Sequence, residues 1–416
     1  MHFNLARGVD LDVLPTKQFK LNHVLINFTT PQTRMNATAR DLLANLLETS
    51  THRYPTQTAL ARQLAKLYGT YIGIGVSRVG RLHTVRLHAS FVNDDVANMD
   101  LFNQVIDLIN EILFHPLIDQ HEFDGPTFRI QANNLRSSLL ALYDDKQFYA
   151  NRQLLKLYYP TDAIQRIPSF GRVSDLAKLS AQSLVSTYQQ MIDHDRVNIL
   201  VLGDVDPAAV QSALAQLPFA DRQVSTIAPF YQQSLIPTIK RRTEHQPVTQ
   251  AKLNLGYQLP IYYRDASYYA GLVFNGLFGG TPYSRLFTNV REKASLAYYA
   301  TSHLLPFSGL LSVQTGIRSQ DAIKVEQLIN QQLAALVAGD FSTQELMEVK
   351  DSLVNQYEAS YDLANNILGR QLLAALLGLP APSNVTAKIK AVTKKDVQQV
   401  AAKLKLQAIY LLSGEK

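Results

Sequence analysis

Ala39-Arg40-Asp41-Leu42-Leu43-Ala44-Asn45-Leu46-Leu47-Glu48-Thr49-Ser50 is the segment on which the reading of the fold turns. Leu42, Leu43, Leu46 and Leu47 recur at helical spacing, which predicts a helix after Pro31 with one face buried. Positions i, i+3 and i+4 share a side of such a helix, and here they are Asn45, Glu48 and Thr49. Two imidazoles flanking a carboxylate at that spacing would make a metal-binding face with a general base. The chain instead has an amide and a hydroxyl in the outer places, both poor ligands for zinc.

Working outward, KQFKLNHVLINFTTP (17–31) has the β-branched and aromatic character of strands. A helix with Leu60, Leu64 and Leu67 follows, and YIGIGVSRVGRLHTVRLHASF (71–91) reads as a hairpin turning at Gly80. Amphipathic helices are predicted over 100–113, roughly 128–155 and 180–191, and NILVLG (198–203) reads as a buried strand. The second half repeats this order. Lys20-Leu21-Asn22 returns as Lys252-Leu253-Asn254, Asn45-Leu46-Leu47 as Asn275-Gly276-Leu277, and the segment from Phe123 aligns without gaps with that from Phe341. Phe123/Phe341, Leu135/Leu353, Tyr143/Tyr361 and Asp144/Asp362 match in place. Offsets falling from 232 to about 211 are what two copies of one module with small deletions would give. The expected division is a domain over 1–220, a Pro-rich linker over 221–248 carrying the basic run Lys240-Arg241-Arg242, and a homologous domain over 249–416. Each domain should be α+β, a mostly antiparallel sheet with a helical layer.

Composition bounds what such a chain can do. With 416 residues, 46% hydrophobic and 18% charged, it reads as a folded soluble protein of more than one domain. No run of 18 apolar residues suggests a membrane span, and MHFNLARGVDLDVL lacks an apolar signal core. The absence of cysteine fits a cytoplasmic protein and excludes thiolate metal sites. A net charge of +6 without a basic stripe gives no nucleic-acid footprint, and Lys240-Arg241-Arg242 reads as a solvated hinge.

The other informative stretch is GGTPYSRLFTNVREKASLAYY (279–299), with Arg291 and Tyr298 seven residues apart. A guanidinium and a phenol are suitable donors to a developing oxyanion. The plainer alternative pairs Arg291 with a surface carboxylate and leaves Tyr298 as a core-edge aromatic. Gly276, Gly279 and Gly280 form no phosphate-binding pattern and are expected to end a helix before Thr281-Pro282. His52 adds one imidazole near Glu48, too few for a metal site, and His83 and His88 read as ordinary polar residues on opposite strand faces.

These segments together resemble the pitrilysin/insulinase family of metallopeptidases, and the resemblance covers nearly the whole chain. The family's helical motif is His-x-x-Glu-His. Its histidines fall on Asn45 and Thr49 and its general base on Glu48, so this chain carries a degenerate form. The third zinc ligand, a downstream glutamate, falls near Arg129 to Gln131 in FRIQANNLRSS, where no residue from Arg129 to Ser138 is Glu or Asp. The Arg and Tyr that hold substrate and the tetrahedral intermediate in active relatives fall on Arg291 and Tyr298. The long glycine-rich loop of the mitochondrial processing peptidase α-subunit is missing. The resemblance implies duplicated domains of the mitochondrial processing peptidase type and a catalytically inactive subunit. It also implies that zinc belongs to an active pitrilysin/insulinase-like partner and not to this chain, and that the substrate is an unstructured peptide or protein. Within the family the chain looks most like the inactive member of the bacterial pair associated with 5-aminopentanol modification of elongation factor P. A non-hydrolytic peptide-binding scaffold and an autonomous peptidase with an atypical site are the alternatives.

Overall fold

The structure is a computed structural model, and it describes residues 1–223 and 228–414. Alternating and continuous apolar runs set its strands: β1 (His2–Ala6), β2 (Val9–Pro15), β3 (Leu21–Pro31), β4 (Tyr71–Val79) and β5 (Leu82–Val92), then the short hairpin β6 (Ile118–Asp119) and β7 (Glu122–Phe123), and β8 (Arg196–Gly203). In the second half come β9 (Lys240–His245), β10 (Ala251–Gln258), β11 (Ala297–Leu305), β12 (Leu310–Ile317) and β13 (Lys405–Ser413). The first sheet runs β1-β2-β8-β3-β5-β4 and the second β11-β12-β10-β13-β9. Read from its other end, the second sheet reproduces the first strand for strand without β1. In each, the pair β2/β8 or β9/β13 is parallel and the remaining pairs of the shared order are antiparallel. The chain is thus α+β and built from two copies of one module.

Packing divides the chain into two compact units that are interleaved in sequence: 1–140, 167–229 and 363–381 in one, and 141–166, 230–362 and 382–416 in the other. The contiguous blocks 1–220 and 249–416 read from the sequence therefore differ from the packed units by one exchanged segment in each direction. The helices used below are α1 (Asn36–Thr49), α2 (Gly125–Ala141), α3 (Lys146–Tyr158), α4 (Tyr268–Asn275), α5 (Thr343–Ala359) and α6 (Ala364–Leu377). From the first half, α3 lays Ala150, Leu154 and Tyr158 against Leu310, Ala408, Tyr410 and Leu412 of the second sheet. Gly256 of β10 lies under it, and a Cβ there would stand 3.0 Å from the Tyr158 ring. From the second half, α6 presents Ala364, Leu368, Leu372 and Leu376, four apart, to Leu25, Leu200 and Leu202 of the first sheet. A sheet covered on both faces explains why Asn22–Thr29 of β3 is buried without interruption.

The expected linker 221–248 needs correction where it is described; residues 224–227 lie outside the described ones. Lys240-Arg241-Arg242 is not a solvated hinge but the start of edge strand β9, parallel to β13. Arg241 makes two 2.7 Å hydrogen bonds to Glu326. A strand carrying Lys240, Arg242 and Glu244 on an edge is charged in the way that discourages edge-to-edge pairing. Ahead of it the chain changes unit within three residues: the Pro229 carbonyl accepts from Arg81 N–H in the first, and Tyr231 N–H donates to the Phe307 carbonyl in the second.

Candidate functional site

The buried stripe of α1 comprises Leu42, Leu43, Leu46 and Leu47, and its N-terminal turns are pinned by a polar contact inside the core. The Arg40 guanidinium, fully buried, stands 2.6 Å from Asp195 Oδ2. Arg40 also donates to the Phe28 carbonyl at 3.2 Å and through Nε to His83 Nδ1 at 3.1 Å. His83 passes its other ring nitrogen to the Ser169 carbonyl at 2.8 Å, so it is the neutral Nε2–H tautomer. Burial and the neighbouring Arg40 charge hold its pKa down at about 3. His83 is therefore no ordinary strand-surface histidine. It is a buried acceptor that fixes Arg40, while burial pushes the Asp195 carboxyl up and Arg40 opposes that shift.

With the stripe fixed, α1 turns Asn45, Glu48 and Thr49 away from the core; Glu48 is exposed and the other two are half-buried. Each has a local explanation. Thr49 Oγ1 donates to the Asn45 carbonyl one turn back at 2.6 Å, a frequent satisfaction of a helical threonine. Glu48 Oε2 accepts from the Ile74 backbone N–H at 2.9 Å. Ile74 lies on β4, the outermost strand of its sheet, so this carboxylate caps a donor that no neighbouring strand pairs. One turn earlier on the same side is Asp41, whose carboxyl burial pushes up to about 7.

The expected third-ligand region lies on α2, where Arg129 and Ile130 are exposed, Gln131 is half-buried, and Leu135 and Leu139 are buried. Among the described residues, no three His, Cys, Asp or Glu side chains are grouped closely enough to hold a metal ion. A zinc site needs three protein ligands with an open fourth place, and the donors around Glu48 do not fit that requirement.

In the second module α4 runs into a π-helical turn, Gly276–Gly280, before Thr281. Gly279 is required there: a Cβ would stand 2.6 Å from the Ser302 backbone nitrogen, which brings Ser302 Oγ within 2.8 Å of Asn275 Oδ1. A second π-helical turn, Leu286–Lys293, carries Arg291, whose guanidinium lies over the Phe287 ring at 4.6 Å. Ser295, at φ 51°, turns the chain into β11. The pairing of β11 with β12 shifts register between Ala297 and Tyr299, a bulge that re-aims Tyr298 outward, leaving it 64% exposed. Both parts of the plainer reading fail: Arg291 stacks on an aromatic ring with no ion pair among the described residues, and Tyr298 is no core-edge aromatic.

Sequence reasoning missed Arg40, Asp195 and Asp41, and took the buried His83 for an ordinary polar residue. Arg40 sits among the helix's apolar residues, a place where a charge needs a partner, and that was the available signal.

Residues 178–353 match a family model described as the peptidase M16 inactive domain. Over 412 residues the chain is 32% identical to the probable inactive metalloprotease YmfF of Bacillus subtilis, covering 98% of this chain and 96% of that protein. A crystal structure of a conserved protein from Enterococcus faecalis V583 superposes with a TM-score of 0.95 at 40% identity, covering 100% of this chain and 98% of that one. The peptidase M16 inactive domain from Pseudomonas fluorescens shares the fold at a TM-score of 0.78 and 16% identity, over 100% and 98% of the two chains.

Proposed function

The chain belongs to the M16, or pitrilysin/insulinase, peptidase family, and from that premise we propose that it is the non-catalytic subunit of a heteromeric zinc peptidase. A partner with an intact His-x-x-Glu-His supplies the metal and the base. This chain supplies half of a peptide-enclosing chamber and, through Arg291 and Tyr298, donors to the substrate backbone. One contrast carries the reading: the groups on α1 are tied to the protein's own backbone, Thr49 to Asn45 and Glu48 to Ile74, whereas Arg291 and Tyr298 are exposed. Metal chemistry needs a water of lowered pKa within reach of the base, and among the described residues α1 gathers no set of ligands for that.

No helix among the described residues is long and apolar enough to cross a membrane. A cytoplasmic pair acting on unstructured segments fits the cysteine-free composition, and the overall look of the sequence resembles the inactive member of the pair associated with 5-aminopentanol modification of elongation factor P.

Mixing the purified chain with its active partner and following hydrolysis of unstructured peptides, elongation factor P segments included, tests the assignment. The pair should cleave where neither chain does so alone. Arg291→Ala and Tyr298→Phe should each lower the pair's kcat by about 100- to 1000-fold, the range for loss of one oxyanion donor. An unchanged rate in both variants would remove the complementation role and leave a peptide-holding scaffold.

A further inference from the structure

One charged side chain of the first unit has no counter-charge of its own. β5 sets Arg86 on the face of its sheet that α6 covers further in, at Leu25, Leu200 and Leu202. The residue is half-buried, and its Nε donates to Asn27 Oδ1 at 3.2 Å, which fixes the direction of the guanidinium. The two terminal nitrogens have no hydrogen bond or ion pair among the described residues. Across the sheet the row through Arg86 consists of Gly75, Asn27, Asn198 and Asp10, and Asp10, three strands away, is engaged by Arg196 at 3.4 Å. Burial pushes the Arg86 guanidinium down from its ordinary pKa, with no carboxylate opposing the shift. An unpaired cation held partly out of water is costly, and the missing counter-charge has to come from outside the chain.

The space beside it is open. Gly75 of β4 is the register partner of Arg86 and shares its face; it is exposed, and a Cβ there would meet nothing within 4 Å. At Gly73, the next residue on that face, the Tyr71 hydroxyl lies where a Cβ would stand, without a hydrogen bond among the described residues. His88, opposite Gly73, is held below its ordinary pKa by burial and adds no charge at neutral pH. Two glycines on the outermost strand thus leave a shallow slot with a guanidinium along its inner side and a phenol at one end. A planar fork with free N–H groups matches a carboxylate. A single pair at so open a place is too weak to hold a free ion, so the carboxylate must arrive on a molecule that makes further contacts, and an outermost strand offers these to an extended chain. We infer that Arg86 receives the Asp or Glu side chain of a peptide lying extended along β4, with the Tyr71 hydroxyl as second donor. This rests on the reading that the chain holds unstructured peptides, and adds that those it prefers are acidic at one position.

Fluorescence anisotropy of the full chain at low salt tests the assignment, with labelled peptides Ser-Thr-Val-Ser-X-Ser-Val-Thr-Ser in which X is Glu, Gln or Lys. The Glu peptide should bind about 10-fold more tightly than the Gln peptide, and the Lys peptide most weakly. Arg86→Gln should abolish the difference while leaving affinity for the Gln peptide in place. Gly75→Leu, at an exposed position with room for the side chain, should fill the slot and bring the Glu peptide to the level of the Gln peptide without moving the thermal midpoint. Arg7→Gln, in the turn between β1 and β2 at the opposite edge of the sheet, removes the same charge and should leave the preference intact. Equal binding of the Glu and Gln peptides, no binding of either at millimolar concentration, a preference that survives both slot variants or is lost in Arg7→Gln, or displacement by millimolar acetate would each overturn the assignment. The readout needs no partner. A chain that prefers the Glu peptide yet yields no cleavage when paired would sink the peptidase reading alone, and equal binding of the two peptides would sink this one alone.

Discussion

At the scale of single residues, the outward groups of α1 are engaged within the chain, Thr49 with the Asn45 carbonyl and Glu48 with the Ile74 N–H. Asp41 is a residue whose environment is at odds with its charge. Its folded pKa of about 7 lies well above the ordinary carboxyl range, so the folded state holds the proton more tightly than the unfolded one. The sign follows: Asp41 favours folding at low pH, and that contribution is lost as pH rises from about 4 through 7. Asp41→Asn should therefore stabilise the protein by roughly 2–4 kcal/mol at pH 8 and leave it nearly unchanged at pH 4, as read from urea unfolding midpoints at the two pH values. A pH-independent effect would mean the carboxyl is solvated. That Asn45, Glu48 and Thr49 share the outward side of α1 was legible in sequence because helical spacing alone places them together. The Arg40–His83–Asp195 cluster was not, because its members lie far apart in the chain and only the folded sheet brings them into contact.

Among elements, the duplication was legible and its register was not. The match of Phe123 with Phe341 correctly pairs α2 with α5, and the strand order agrees between the two sheets. Equating Asn22 with Asn254, however, reverses the faces of the strand. Asn254 lies opposite Tyr410 and meets Gln147 at 3.2 Å, on the face covered by α3. On β3 the residue facing the corresponding helix is Leu25, so Asn22, an odd number of residues away, points to the other side. A strand buried on both faces has no polar alternation to fix its register, which is why similarity of letters misled. The exchange of α3 and α6 left no mark in the sequence either, since an amphipathic helix does not name the sheet it covers. Leu368→Ala should nonetheless cost about 2–5 kcal/mol in urea unfolding, as for any well-packed core leucine, whereas Asn365→Ala on the exposed side of α6 should cost less than about 0.5 kcal/mol. Equal, small effects would contradict the packing of α6 on Leu25, Leu200 and Leu202.

Across the whole molecule, the two modules have kept the same topology and diverged in chemistry. In the first, the outward groups of α1 are bonded to the chain's own backbone, Thr49 to Asn45 and Glu48 to Ile74 on a sheet edge. The second holds an arginine over a ring and a tyrosine on a bulge, both facing solvent. An isolated chain of this kind should therefore be unable to assemble a hydrolytic metal centre. The measurement that bears on this most directly is the zinc content of the full chain, purified without chelator after growth in zinc-supplemented medium, with peptide hydrolysis assayed on the same preparation. The account predicts far less than one zinc per chain and no chelator-sensitive turnover. Stoichiometric zinc lost on Glu48→Gln, together with cleavage by the unmixed chain, would contradict it.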